Sequence, residues 1–339
     1  MTEDSQALLD VRELALHYRA RRGARSERTV RAVDGVSFSL YEKEILAVVG
    51  ESGCGKTSLI RAITRLEEPT RGNVFFRGRD IAHLDKKAMR AVRREIQIIF
   101  QDPFESLDPR LSIFDTVEES LLVHKLGTPE ERHAKVIASL QQVGLHPPEV
   151  VARQYPHQLS GGQRQRVVIA GAMVLDPNLI IADEPVSMLD VSLRAGILRL
   201  MLQLREDRGV SFLFVTHDLS LAWVIAERVA VVYLGRIVEL GGTEAVIGTP
   251  QHPYTKALVS VIPVPEQRAR QQRTVLPGEA PSASHIPAGC RFRPRCPLYK
   301  ELGEPARCLD EDPVLEETAS GATAQERHEV ACHFAKENA

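Results

Sequence analysis

The sequence predicts an α/β fold built around a parallel sheet, and three observations carry the prediction. Ile45-Leu46-Ala47-Val48-Val49 is a short unbroken apolar run, as expected of a strand buried on both faces. It leads into glycines at 50, 53 and 55, beyond which Leu59, Ile63 and Leu66 recur at helical spacing. Leu179-Ile180-Ile181-Ala182 and Phe212-Leu213-Phe214-Val215 are two further apolar runs, each ending in polar residues. Strand, Gly-rich loop and helix open a parallel α/β sheet, and ligands of such sheets collect at the strand tips.

The remaining elements follow in chain order. Leu9 to Tyr18 and Val36 to Leu40 alternate apolar and polar residues, as half-buried strands do. The basic stretch Arg19 to Arg25 between them reads as a solvated loop. Residues 102–176 read as mostly helical. Thr128-Pro129-Glu130-Glu131 combines an N-cap, a proline at the first helical position and a capping-box Glu. Val136, Ile137, Leu140 and Val143 then form one apolar face, closed by Gly144. Val229 to Tyr233 and Ile237 to Leu240, joined around Gly235-Arg236, read as a hairpin. A Pro-rich stretch follows, and the predicted boundary separates a large domain, 1–262, from a small C-terminal domain, 263–339.

Composition excludes some classes of function. A formal net charge of -2 provides no global field that would select nucleic acid or anionic lipid. The polar, acidic start Met1 to Gln6 argues against a secretory signal, and no apolar run approaches the ~20 residues of a membrane span. The expectation is a cytosolic chain whose membrane role, if any, runs through a partner. Four of the five cysteines, Cys290, Cys296, Cys308 and Cys332, lie in the last fifth of the chain. In a cytosolic protein such a cluster points toward metal.

Three motifs carry chemistry. Gly50-Glu51-Ser52-Gly53-Cys54-Gly55-Lys56-Thr57 fits G-x-x-x-x-G-K-[ST], in which glycines let backbone N–H groups converge on phosphate oxygens. The following helix aims its positive dipole end at the same place. Lys56 is placed for the β- and γ-phosphates and the Thr57 hydroxyl for Mg²⁺. Cys54 is a small loop filler rather than a redox group. Asp183 and Glu184 end the Leu179–Ala182 run, suited to hold Mg²⁺ through water and to orient or deprotonate an attacking water, respectively. Leu159-Ser160-Gly161-Gly162-Gln163 reads as a capping box opening a helix, with Val167, Gly171 and Val174 on one face, and the same start is an anion site.

Leu159 to Gln163 resembles the signature sequence of ABC ATPases, and further family elements occur in family order. Gln101 in Phe100-Gln101-Asp102-Pro103 resembles the Q-loop glutamine, Ser187-Met188-Leu189-Asp190 the D-loop, and His217 the switch histidine. Tyr18 resembles the aromatic residue that stacks on adenine, although a plain strand aromatic reads the same way. The resemblance implies a P-loop ABC ATPase with a RecA-like core, an antiparallel β subdomain and a helical subdomain, plus a small Cys-containing C-terminal domain. It implies that Glu184, His217 and Gln101 serve catalysis, and that Thr57, Gln101 and Asp183 hold Mg²⁺. ATP would meet Tyr18, Gly50, Glu51, Ser52, Gly53, Cys54, Gly55, Lys56, Thr57, Ser58, Gln101 and Asp183, together with Ser160, Gly161, Gly162, Gln163 and Asp190. Ser160, Gly162 and Gln163 would reach the γ-phosphate from the other subunit of a head-to-tail dimer. One departure is Met188, where the D-loop usually has a small residue.

Three stretches narrow the branch. Phe100 to Arg110, His252-Pro253-Tyr254-Thr255-Lys256-Ala257-Leu258 and the cysteines beginning Cys290-x5-Cys296-Pro297 resemble the ATPases of oligopeptide and dipeptide importers. Nickel importers and soluble ABC ATPases not coupled to transport are the alternatives. The resemblance implies import of peptides, with two transmembrane permease subunits and an extracytoplasmic solute-binding protein as partners. It places the chain on the cytoplasmic face of the inner membrane, paired with itself or a paralogue and binding no nucleic acid. It also implies a [4Fe–4S] cluster on the four cysteines, against Zn²⁺ or no metal, since C-x5-C-x11-C-x23-C is not a short zinc knuckle.

Overall fold

The structure, a computed structural model, describes residues 6–21, 27–262, 274–319, 323–324 and 326–335. Most of the basic stretch and the prolines at 263 and 265 lie outside the described residues. The chain forms two compact units, one of residues 1–40, 45–82 and 216–339, the other of 41–44 and 83–215.

The first unit contains a four-stranded antiparallel sheet in the order Glu27–Leu40, Leu9–Arg21, Arg71–Phe76, Arg79–Asp80. Leu9 and Val11 are buried in alternation, but Leu14, Ala15 and Leu16 are buried in succession, because the pairing register shifts after Val11 and the strict alternation expected over Leu9 to Tyr18 breaks there. The strands run further than expected: the first reaches Arg21, and the second begins at Glu27 rather than Val36. Arg19 to Arg21 therefore belong to a strand, because cross-strand pairing with 27–29 outweighs their charge.

The second sheet of this unit runs Glu316–Ala319, His328–Val330, Arg236–Gly242, Arg228–Tyr233, Ile45–Val49. Its last pair is parallel and the others antiparallel. The expected hairpin is present, with Leu234 and Gly235 in its turn at φ 44° and 76°. Two successive positive φ values match the right-handed twist of the strands. After the Pro-rich stretch, His328–Val330 pairs onto Arg236–Gly242 and Glu316–Ala319 pairs onto His328–Val330, which covers an otherwise open edge of Arg236–Gly242.

The second unit holds three parallel strands, Ile96–Ile99, Leu179–Asp183 and Ser211–Thr216, paired in that order. Leu179–Asp183 is buried throughout, which is why its sequence is an apolar run rather than an alternation. Residues 103–173 carry helices at Pro103–Ser106, Ile113–Val123, Pro129–Gln142, Pro148–Ala152 and Gly161–Met173. Thr128 and Glu131 close the expected capping box, and Val136, Leu140 and Val143 are buried behind it. Among the described residues no helix is long and apolar enough to cross a membrane.

Candidate functional site

In the first unit the phosphate-binding motif forms a strand, loop and helix in sequence. Ile45–Val49 is fully buried, and the helix Lys56–Ile63 begins at Gly55. Gly55 has φ 109°, and a Cβ there would lie 2.0 Å from the Ala32 carbonyl oxygen. Any other residue would clash with backbone and be strained, so glycine is a steric requirement. The helix is shorter than its apolar spacing suggested, ending at Ile63 and leaving Leu66 beyond it, 48% exposed. Thr64 caps that end, its hydroxyl donating to the Ile60 carbonyl at 2.8 Å.

Lys56 is buried, and its ammonium donates to the Gly50 carbonyl at 2.6 Å and the Glu51 carbonyl at 3.1 Å. The cation therefore lies across its own loop, on acceptors that phosphate oxygens can replace. Cys54 is 5% exposed, and burial pushes its thiol above the ordinary value, which fits a packing role. The Tyr18 hydroxyl lies 3.5 Å from the Ser58 Oγ, one position past Thr57. The aromatic ring thus stands beside the helix that follows the loop. His217, in the same unit, is exposed just past the strand end at Thr216.

The second unit brings Gln101 and Glu184 together: the Gln101 amide donates to the Glu184 carboxylate at 3.2 Å. Asp183 is buried at the strand end. Glu184 has φ 48°, a left-handed conformation that costs a non-glycine residue about 1–3 kcal/mol. Its carbonyl accepts from the Ser187 hydroxyl at 3.0 Å, which helps to hold the strained turn. The Ser160 Oγ accepts from the Gln163 N–H at 3.3 Å, and Gln163 Oε1 accepts from the Ser160 N–H at 3.0 Å. This is the capping box read from the sequence. Leu193 packs against Gly162, where a Cβ would lie 3.2 Å from its methyl. Met188 and Val191 beside it are 57% and 80% exposed, and Asp190 is also exposed.

Cys290, Cys296, Cys308 and Cys332 line one small cavity, walled by His252, Phe292, Leu298 and Phe334. Burial raises all four thiols, Cys290 to about 12 and Cys332 to about 11. Among the described residues no three His, Cys, Asp or Glu side chains form a group that could hold a metal ion, so the Zn²⁺ alternative gains no support either. The same positions give the iron–sulfur expectation no direct support. His333, next to Cys332, has its Nε2 3.0 Å from the Glu311 carbonyl oxygen.

Sequence reasoning missed the residues that grip Glu51. Its N–H donates to the Tyr254 hydroxyl at 3.0 Å, and its carboxylate takes a two-point ion pair from Arg295 at 2.8 and 3.2 Å. Three arginines within five residues between two cysteines, Arg291, Arg293 and Arg295, were the available signal.

The ABC transporter family model matches residues 33–187, and the oligopeptide/dipeptide transporter C-terminal region matches 238–301. The oligopeptide transport ATP-binding protein AppF of Bacillus subtilis is 44% identical, over 98% of both chains. The dipeptide transport ATP-binding protein DppF of Haemophilus influenzae is 43% identical, over 94% of this chain and 96% of its own. Among solved structures, the dimeric ATP-binding cassette MJ0796 bound to ADP and Pi is 29% identical at TM-score 0.61, covering 69% of this chain and 98% of that one. The cassette cbiO1 of Clostridium perfringens is 27% identical at TM-score 0.62, covering 72% of this chain and 91% of that one. A phosphate loop, an Asp183–Glu184 strand tip and a signature helix in family order, joined to that C-terminal region, leave one assignment: the chain belongs to the ABC transporter ATPases, in the branch with the oligopeptide/dipeptide transporter C-terminal region.

Proposed function

We propose that the chain binds and hydrolyses Mg·ATP to power peptide import through a membrane permease. The observation that carries this reading is Lys56 lying across a glycine loop on displaceable carbonyls, in a chain that also bears the Asp183–Glu184 pair and both family regions. Phosphate oxygens replace the Gly50 and Glu51 carbonyls as acceptors of Lys56, while Thr57, Gln101 and Asp183 take Mg²⁺. Glu184 orients the attacking water and accepts its proton. Gln101 donates to one of the two oxygens of that carboxylate, which links the two residues. Through that link Gln101 reports nucleotide state to the helices following it. His217 contacts the γ-phosphate.

Ser160, Gly161, Gly162, Gln163 and Asp190 complete the ATP site of a second ATPase subunit, identical or paralogous, in a head-to-tail dimer. The exposed apolar side chains of Met188 and Val191 beside the signature helix support such a partner face. Peptides as the solute rest on the named relatives, whereas two permease subunits, a solute-binding protein and the cytoplasmic membrane face rest on the family resemblance of the sequence alone. The four cysteines match an iron–sulfur cluster in number and donor chemistry, and they line one cavity. Bound there, it would cross-link separate stretches of the C-terminal segment. Iron and sulfide analysis of anaerobically purified full-length protein tests it, and a metal-free preparation would exclude it.

The functional reading is tested by Glu184→Gln in the reconstituted complex. ATP binding should persist, turnover should fall by roughly 10²-fold or more, and the dimer should be trapped. Normal hydrolysis would exclude Glu184 as the base.

A further inference from the structure

A carboxylate inside an anion-binding loop opposes the loop's task, and Glu51 is one. The structure holds it from two sides with residues that follow it by more than 200 positions. Arg295 is buried, its side chain 8% exposed against 31% for Glu51, and it meets the carboxylate through both terminal nitrogens. Such a fork fixes direction as well as charge. The Tyr254 hydroxyl takes the Glu51 N–H, and Tyr254 is itself fully buried against Tyr233 and Phe292, with ring centroids 4.8 and 5.5 Å away. Neither polar handle of Glu51 is left to the phosphates.

Arg295 lies in the short stretch between Cys290 and Cys296, and the other end of that stretch is tied down too. Arg291 donates to the Leu234 carbonyl at 2.8 Å and pairs with Asp34. Leu234 belongs to the hairpin turn whose Gly235 N–H donates to the Cys54 carbonyl at 2.8 Å. Residues 291–295 thus reach the phosphate loop twice: directly at Glu51, and through the turn at Cys54.

We propose that Arg295 is a positioning residue of the nucleotide site, neutralising Glu51 and turning its carboxylate away so that the loop accepts triphosphate. This rests on the reading of Gly50–Thr57 as the ATP site and adds the C-terminal segment to the binding machinery. Because coupling is reciprocal, whatever displaces the stretch between Cys290 and Cys296 alters ATP affinity, and ATP in turn steadies that stretch.

The test is equilibrium binding of Mg·ATP and Mg·ADP to the full-length chain. Arg295→Ala frees the carboxylate and should weaken ATP by about tenfold, the scale of one like charge near a phosphate at intermediate dielectric. ADP, carrying less charge, should weaken less. Arg295→Lys should recover part of the loss. Adding Glu51→Gln to Arg295→Ala should restore ATP affinity to within about threefold of wild type, because the repelling charge is gone. Glu51→Gln alone should bind ATP a few-fold more tightly, and this variant decides the matter if Arg295→Ala does not fold.

Wild-type affinity in a folded Arg295→Ala, or a double variant as weak as Arg295→Ala, overturns the inference. So does weakened ATP binding by Glu51→Gln alone. A wild-type chain that binds no ATP, or a Lys56→Ala chain that binds it normally, instead overturns the nucleotide-site reading beneath it.

Discussion

Replacing Asp34 with alanine should cost the first unit about 3 kcal/mol of stability. Asp34 and Arg291 are each about 5% exposed or less and pair at 2.5 Å. His17 approaches the same carboxylate at 3.1 Å. Removing one partner of a buried pair usually costs ~3–5 kcal/mol, because the other charge is stranded out of water. The low end applies here, since Arg291 keeps Asp312 at 3.0 Å and the Leu234 carbonyl at 2.8 Å. The assay is urea unfolding followed by the fluorescence of Trp223, the single tryptophan, which lies in the same unit as Asp34. With an m-value of ~2–3 kcal/mol per M, the midpoint should fall by about 1–1.5 M. A fall below about 0.3 M would mean that the pair is bystander charge, and the argument from burial would fail.

Acid should erase part of that difference. Burial alone pushes the Asp34 carboxyl up, but hydrogen bonding and charge from Arg291, with His17 and Arg236, outweigh it and hold the group below its ordinary value. A depressed carboxyl stabilises the fold above the unfolded value of roughly 3.9, and this is lost as pH falls through the folded value. The midpoint gap between wild type and Asp34→Asn should therefore narrow below about pH 4; a constant gap would refute the charge argument. Tyr18→Ala should raise the ATP dissociation constant by about tenfold, since base stacking contributes ~1–3 kcal/mol; calorimetry showing loss of stability with unchanged affinity would make Tyr18 a strand residue only. Gly55→Ala should abolish nucleotide binding, because its Cβ would meet the Ala32 carbonyl at 2.0 Å in a left-handed conformation. Intact binding there would mean that the loop adopts another path.

The elements that were legible in the sequence are those written contiguously. Ile45–Val49, the glycines and Lys56 sit side by side in the chain, so their strand, loop and cation follow from local rules. The Ser160–Gln163 and Thr128–Glu131 capping boxes are likewise four residues long. Elements set by pairing were harder to read. The strand Arg71–Phe76, with its Gly72 at φ 91°, shows no clean alternation and gains its place from Leu9–Arg12 beside it. The end of the Lys56 helix was misread because Leu66 keeps the helical spacing while the chain has already turned at Arg65, φ 50°.

The sequence alone determined which chemistry the chain carries: a phosphate loop, an acidic strand tip and a signature helix, each complete within a few residues. Tertiary structure alone decided what each motif leans on. Arg295 meets Glu51 across 244 positions, and Arg291 meets Asp34 across 257. Contacts of that range depend on how whole elements pack, and no local pattern encodes them, because a buried arginine and an exposed one are the same letter until the fold chooses between them.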